Sequence, residues 1–354
     1  MSQEHNTNNT NHEYNTIDVE VNFSKSALDI FFGFENRKQA KLALTKNKYN
    51  KLKSYLNDEI MVHNSMLFAI HFSYNEIAKK IINSFYKNKI YDINKNHSEI
   101  FKFAIYYNKN LLIPLLIKTG SDIHIDEDYA LIQYCLRENI LIVDLLINNG
   151  ANVYARNSLA LIQAAGNGYI TIVNLLMEHT KNKLLENLDN YQATNYDLAL
   201  ISATFGKHND IALLLLTAGA NPLINNCEVL VIAAESGNAI LVDSLLSLGA
   251  DPNVNNGMIL EKAVRNGHVD VVKVLIEFEN NDNYVCDIGV DDSAALRWAA
   301  LKGNYSITKM LLESKTKDGK PRCDVNTCNN EPHRLASKYG HGDVVQLLEE
   351  YGGN

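Results

Sequence analysis

The chain has 354 residues, of which 46% are hydrophobic and 21% are charged, and its formal net charge is −8. This composition excludes a mostly disordered chain, and the length exceeds what one compact hydrophobic core usually holds. The acidic balance argues against broad electrostatic binding of nucleic acid. Five cysteines are too few for a disulfide framework in a chain this long, so we expect a reducing compartment. No apolar run reaches the roughly 18 residues of a membrane span.

The N-terminal part differs in pattern from the rest of the chain. Residues 1–22 are polar and rich in asparagine, which predicts a disordered tail without a secretory signal. Residues 23–62 contain helix-like runs, which we interpret as a degenerate capping repeat, with a separate small helical module as the alternative. The lysines in this segment are interpreted as a solvated helix face. They are Lys46, Lys48, Lys51 and Lys53.

Residues 63–354 contain one sequence unit repeated about nine times, and the step between copies is most often 30 residues. We number each copy from a position, called zero, that is alanine in all copies but one. The zero positions are Ala69, Ala104, Tyr134, Ala164, Ala203, Ala233, Ala263, Ala299 and Ala336. Longer steps place polar inserts at residues 180–195, 279–291 and 315–330, which we predict to be loops.

An apolar frame accompanies each zero position. Residues three before, eight after and twelve after zero are apolar in almost every copy, for example Leu230, Leu241 and Leu245, and His333 is the exception. Spacings of three and four within each half are helical, so each copy predicts two short amphipathic helices. Pro114 falls ten residues after zero, where it is accepted in the first turn of the second helix and otherwise kinks it.

Glycines separate these helices, as at Gly237 between the two helices and in the Gly-Ala-Asp-Pro sequence at 249–252 after the second. Helix, tight turn, helix, glycine stop and short finger together resemble the ankyrin repeat, over about four fifths of the chain. The resemblance implies an all-α solenoid of about nine stacked ankyrin repeats. The 30-residue period and the asparagine content are most similar to ankyrin proteins of giant amoebal DNA viruses.

The chain departs from the common ankyrin pattern in two ways. The usual unit has about 33 residues, so a 30-residue copy lacks about three before its first helix, and we expect a short finger that need not be a true hairpin. The Thr-Pro-Leu-His tetrapeptide of the family is largely absent, with Pro332 as a remnant. Because its side-chain hydrogen bonds are missing, we expect the core to depend more on apolar stacking.

Motifs for catalysis are absent: the sequence has no phosphate-binding glycine loop, no His-Glu-x-x-His and no Gly-x-Ser-x-Gly. We therefore expect no enzymatic activity, no cofactor and no metal. One cluster, Cys323, Cys328, His333 and His341, contains residue types that bind zinc. A zinc site or an enzyme in the non-repeat segments is the alternative, although His341 occupies the usual Gly-His position of the repeat.

The resemblance implies a protein partner bound on the concave face, where the residues two and three after zero are exposed. Tyr and Arg are enriched at such hot spots. The candidate partner-binding residues are Tyr106, Tyr107, Arg137, Phe205, Glu235, Arg265, Lys302, Lys338 and Tyr339. Acidic residues 126–128 lie near the tyrosine pair in sequence, and basic residues lie toward the other end, which favours a partner of matching polarity. Trp298 is expected to pack between copies or to face the groove.

The functional hypothesis is a non-catalytic scaffold for protein–protein interaction, monomeric, with no nucleic acid or membrane as partner. The viral resemblance implies a host protein as partner and an intracellular location, in the host cytoplasm, with the nucleus and the virion left open. An adaptor that recruits substrates to a ubiquitin ligase is the first alternative, although residues 1–60 contain no clear F-box.

Overall fold

The computed structural model describes residues 59–184, 192–278 and 286–353. The predicted tail, nearly all of the capping repeat with its lysine stretch, and parts of the first two inserts lie outside the described residues. The predicted boundary between residues 62 and 63 therefore stays a prediction. The chain divides into two compact units, Met1–Ile123 and His124–Asn354, and each is described by itself.

The described residues contain eighteen α-helices, arranged as nine consecutive pairs, and no β-strand. In the first unit they are α1 (Glu59–His71), α2 (Asn75–Ile81), α3 (Lys95–Tyr106) and α4 (Ile113–Lys118). In the second unit they are α5 (Ile125–Leu136), α6 (Ile140–Asn148), α7 (Ala155–Gly166), α8 (Ile170–Leu184), α9 (Gln192–Phe205), α10 (Asn209–Thr217), α11 (Ile224–Ser236), α12 (Ala239–Ser247), α13 (Val254–Arg265), α14 (Val269–Glu277), α15 (Val290–Lys302), α16 (Tyr305–Glu313), α17 (Thr327–Tyr339) and α18 (Gly342–Glu350). The all-α prediction is confirmed.

The helices of the second unit form two layers. Odd-numbered helices pack on one another in chain order to form an inner layer, and even-numbered helices form an outer layer in the same way. In the first unit, α1 packs against both α2 and α3, and α3 packs against α4. A single pair has no partner of its own for its apolar face, so stability comes from the interface with the neighbouring pair.

The predicted apolar frame forms the core. Every zero position is fully buried, including Tyr134, and all nine residues at position eight and all nine at position twelve are at most 5% exposed. At position three before zero, only His333 is not buried. The predicted helical spacing is therefore confirmed throughout the array.

The fingers of the 30-residue copies are short turns and not hairpins, as that period predicted, whereas the longer finger before α17 contains an antiparallel bridge between Lys315 and Pro321. In seven copies, three consecutive residues with left-handed backbone precede the right-handed part of the inner helix. These segments are residues 96–98, 126–128, 156–158, 225–227, 255–257, 291–293 and 328–330. Asn, Asp or Gly occupies most of these positions, since these residues tolerate positive φ best. Asp251 Oδ1 also accepts from the Asn253 amide at 2.8 Å and closes the preceding turn.

Polar side chains link neighbouring repeats at the finger. Asp128 Oδ1 accepts from the Asn152 amide at 2.9 Å, and Ser293 Oγ accepts from the Asp324 amide at 3.2 Å. Both acceptor residues are buried six positions before zero. The expectation that apolar stacking replaces the lost hydrogen bonds is therefore incomplete, because side chains at another position of the repeat supply new ones.

Two local features that the sequence left open are resolved. Pro114 lies in the first turn of α4, which is only six residues long, so the helix begins late and is not kinked. The insert at 315–330 is an ordered loop that ends where α17 begins at Thr327. Arg322 anchors the loop by donating to the Ile276 carbonyl at 3.0 Å and to the Cys286 carbonyl.

Replacing Leu245 or Leu275 by Ala tests the interior placement of position twelve. Both side chains are fully buried, so the loss of transfer free energy and the residual cavity should lower the free energy of unfolding by about 2–5 kcal/mol. Urea denaturation followed by circular dichroism measures the change. A loss well below this range would contradict the packing described.

The hydroxyl of Tyr134 suggests a stabilising substitution. It is buried and has no hydrogen-bond partner among the described residues, and burial raises the pKa of this phenol. An unsatisfied buried hydroxyl costs about 1–3 kcal/mol, so Tyr134→Phe should raise the melting temperature. Tyr196 is the matched control: its hydroxyl bonds Thr180 Oγ1 at 3.0 Å, so Tyr196→Phe should lower it. Shifts of the same sign would refute this assignment.

Candidate functional site

The ends of the inner helices carry the surface on which the sequence placed its candidate residues. None of the described residues two or three after zero is buried. Tyr106, Phe205 and Tyr339 are each at least 50% exposed although they are large aromatic residues. Seven of the nine candidate residues are exposed as predicted, whereas Tyr107 and Arg137 are half-buried. Partner binding by these residues stays a prediction.

In the first unit, exposed Phe72 and Tyr106 and half-buried His71 and Tyr107 form an aromatic cluster. The His71 ring lies 4.6 Å from that of Phe72 and 4.9 Å from that of Tyr107, and Tyr106 meets Tyr107 edge-on at 5.0 Å. Burial raises the pKa of the Tyr107 hydroxyl. The tyrosines are among the residues predicted from the sequence, but His71 and Phe72 are not. These two residues occupy the same positions of the preceding repeat, so counting from its zero position would have identified them.

In the second unit, three candidate residues lie apart from one another. Arg137 is half-buried, with its guanidinium 5.8 Å from the Tyr134 ring centre. Phe205 is 55% exposed. Glu235 pairs with Lys262 at 2.6 Å. These residues share the helix ends but do not form one cluster.

Toward the C-terminus, cations and aromatic rings come together. The Arg265 guanidinium lies 4.4 Å from the Trp298 ring centre, and Lys338 Nζ lies 5.5 Å from the ring centre of Tyr339. Trp298 is half-buried, so it packs between neighbouring repeats and also supports an exposed arginine. Arg265 and Lys302 line one open groove, here called the basic groove. Its lining residues are Arg265, Asn266, Gly267, Lys302, Gly303, Asn304, Tyr305 and Ser306.

In several copies the residue five after zero holds the turn in position. His268 Nε2 donates to the Glu235 carbonyl at 2.9 Å, and His341 Nε2 donates to the Leu301 carbonyl at 3.1 Å. Where this residue is asparagine it caps its own outer helix instead, as Asn304 Oδ1 does by accepting from the Ile307 amide at 3.0 Å. The histidine bonds tie the helix ends of neighbouring repeats together, so the residues two and three after zero project from turns that are held in place.

Three of the four possible zinc ligands are engaged elsewhere, and Cys328 is exposed. Cys323 is buried, its thiol donates to the Leu311 carbonyl at 3.3 Å, and burial raises its pKa to about 11. His333 contacts Glu349 at 3.3 Å, and His341 supports a turn. Within the described ranges, no three His, Cys, Asp or Glu side chains are placed to hold a metal ion.

The acidic residues 126–128 are partly neutralised within the second unit. Arg156 donates to the Asp126 carbonyl at 3.0 Å and lies 3.8 Å from the Glu127 carboxylate. Asp128 is occupied by the Asn152 amide. The tyrosine pair belongs to the other unit. Among the helices that the structure describes, none is both long and apolar enough to span a bilayer.

Comparisons with known proteins identify the same repeat. The family model described as "Ankyrin repeats (3 copies)" matches residues 101–187, 161–256, 230–322 and 260–354. A comparison with curated proteins found no match. Among solved structures, the human ASB11 ankyrin repeat domain is 19% identical, with a TM-score of 0.41, and the alignment covers 66% of this chain and 95% of that chain.

Two glycines with the same backbone test the turn support. Gly237 (φ +83°) faces His268, whose Nδ1 would lie 2.7 Å from an added Cβ, whereas at Gly267 (φ +74°) the nearest atom is Asn304 Nδ2 at 3.7 Å. Both alanine substitutions should destabilise by about 1–2 kcal/mol through left-handed strain. Gly237→Ala should lower the melting temperature more than Gly267→Ala does, because the His268 imidazole must move to make room for the methyl group. Equal losses would show that the His268 contact does not matter.

Proposed function

Because this chain belongs to the ankyrin-repeat family, we propose that it is a non-catalytic scaffold that binds a protein partner through the exposed ends of its inner helices. The supporting observation is the contrast between two sets of positions in the same repeat. The frame positions are buried and apolar in almost every copy, whereas the residues two and three after zero are exposed or half-buried and differ between copies. A surface of this kind can change its partner without disturbing the core.

The aromatic cluster of the first unit supports a hot spot. Tyr106 and Phe72 are 50% and 44% exposed, and their contacts with neighbouring rings hold them in place. Aromatic side chains provide large contact areas at a small cost in conformational entropy, and interfaces are enriched in them. An ordered, exposed cluster is therefore where a partner gains most from excluding water.

Charged residues of the second unit orient the partner as it binds. Arg265, Lys302 and Lys338 are exposed at the ends of three consecutive inner helices. Exposed cations act mainly on the association rate and on the choice of partner, and salt screens them. The aromatic cluster then supplies affinity, and the cations supply selectivity.

The setting of this scaffold forms part of the proposal. The 46 asparagines in 354 residues and the 30-residue period support a relationship to the asparagine-rich ankyrin proteins of giant amoebal viruses. On that basis the partner is a host protein, and the chain acts as a monomer inside the cell, in the cytoplasm. Fluorescence microscopy of the tagged chain in infected amoebae and light scattering of the purified chain test the location and the monomeric state.

Affinity capture followed by mass spectrometry tests partner binding. The combined change Tyr106→Ala, Tyr107→Ala and Arg265→Ala should reduce recovery of the partner at least tenfold, since hot-spot residues commonly contribute more than about 1.4 kcal/mol each. The helical circular-dichroism spectrum should not change, because all three side chains lie outside the core.

The matched control is the combined change of Leu141, Leu248 and Lys309 to Ala. These residues are exposed on or beside outer helices, so partner recovery should be unaffected. Equal loss in both variants would contradict binding at the inner-helix ends. Recovery of ubiquitin-ligase subunits with the partner would favour the adaptor alternative.

A further inference from the structure

We infer that the basic groove binds an acidic peptide segment of the partner, with neighbouring carboxylates that engage Arg265 and Lys302. The inference rests on the proposed scaffold function and names the chemistry that one part of its surface recognises.

The charges of the groove are unbalanced. Its lining contains two cationic side chains and no carboxylate. Lys302 is exposed and makes no ion pair with any residue of the described ranges. Two acids of the inner helices are already paired: Glu261 with Arg265 itself at 3.3 Å, and Glu235 with Lys262 at 2.6 Å.

A second groove at the turns of earlier repeats shows that this imbalance is not a property of the fold. It is lined by equivalent backbone turns, but it carries Lys207 together with Asp270, so its two formal charges cancel. The comparison provides an internal control with the same architecture and a different charge. An acidic ligand should prefer the basic groove for electrostatic reasons alone.

Arg265 is prepared for a carboxylate. Its guanidinium rests on the Trp298 ring, with 4.4 Å between the central carbon and the ring centre, a favourable cation–π arrangement. Glu261 takes one N–H of the fork, and the guanidinium carries five such donors. The side chain is 50% exposed. A fork already held in place loses less entropy when it binds a carboxylate in bidentate fashion.

The rest of the chain selects for a short acidic segment. Because the net charge is −8, a long polyanion such as nucleic acid is repelled outside the groove. A peptide with two or three carboxylates can place all of its negative charge inside the groove, so the rest of the chain does not repel it. Tyr305, 41% exposed in the lining, adds apolar area and a hydroxyl beside the two cations.

Titration of the full-length chain tests the inference through its single tryptophan, Trp298. The probe is a twelve-residue peptide of alternating Glu and Gly, and the reference replaces every Glu by Gln. The acidic peptide should change Trp298 fluorescence, bind at least about tenfold more tightly than the reference, and weaken as salt is added. Equal affinity for both peptides, or no binding of either, would overturn the inference.

Substitutions assign the site. Arg265→Gln and Lys302→Gln should each lower the affinity for the acidic peptide about tenfold. The circular-dichroism spectrum should not change. Lys207→Gln, in the neutral groove, should have no effect, and an equal loss there would refute the assignment. Tighter binding of a phosphoserine peptide or of oligothymidine than of the acidic peptide would overturn the carboxylate assignment in favour of that ligand.

The same variants separate this inference from the scaffold proposal. If partner capture survives Arg265→Gln with Lys302→Gln but is lost with Tyr106→Ala and Tyr107→Ala, the acidic-segment inference fails and the scaffold stands. If both pairs of changes leave capture intact, the inner-helix ends are not the binding surface, and both proposals fail.

Discussion

Burial of one apolar frame between successive helix pairs is the interaction on which this structure depends. Each pair buries residues such as Leu245 and Leu275 completely, and it can do so only against its neighbours. The frame must therefore stay nearly constant along the chain, which explains why its positions accept so little variation. Exposed positions of the same repeat carry no such requirement, so they can take residues suited to a partner.

A second constraint acts at the fingers. In copies of 30 residues and in longer ones alike, the chain turns into its inner helix through consecutive left-handed residues. Such a turn disfavours most side chains, and asparagine and aspartate fill many of its positions. Part of the asparagine content thus has a backbone reason. The last residue of the turn then bonds the next repeat, as Asp128 does with the Asn152 amide.

The sequence predicted which positions of the repeat are on the candidate surface, but it did not predict which of their side chains lie together. Counting two and three residues from zero found Tyr106, Arg265 and Lys302, because exposure follows from the position in the repeat. The stacking of Arg265 on Trp298 was not foreseen, since the two residues come from neighbouring repeats and meet only through the packing of α13 on α15. The contact between Arg156 and the Glu127 carboxylate was not predicted, for the same reason.

The sequence alone determined the fold class, the repeat, its period and the buried frame. It could do so because helical periodicity and glycine stops are local and recur along the array. Tertiary structure alone decided which charges are paired, which cysteines and histidines are engaged, and how the finger turns. Most of those outcomes depend on contacts between groups that lie from about 12 to 40 residues apart in the chain, and small differences in backbone path decide whether two such groups meet.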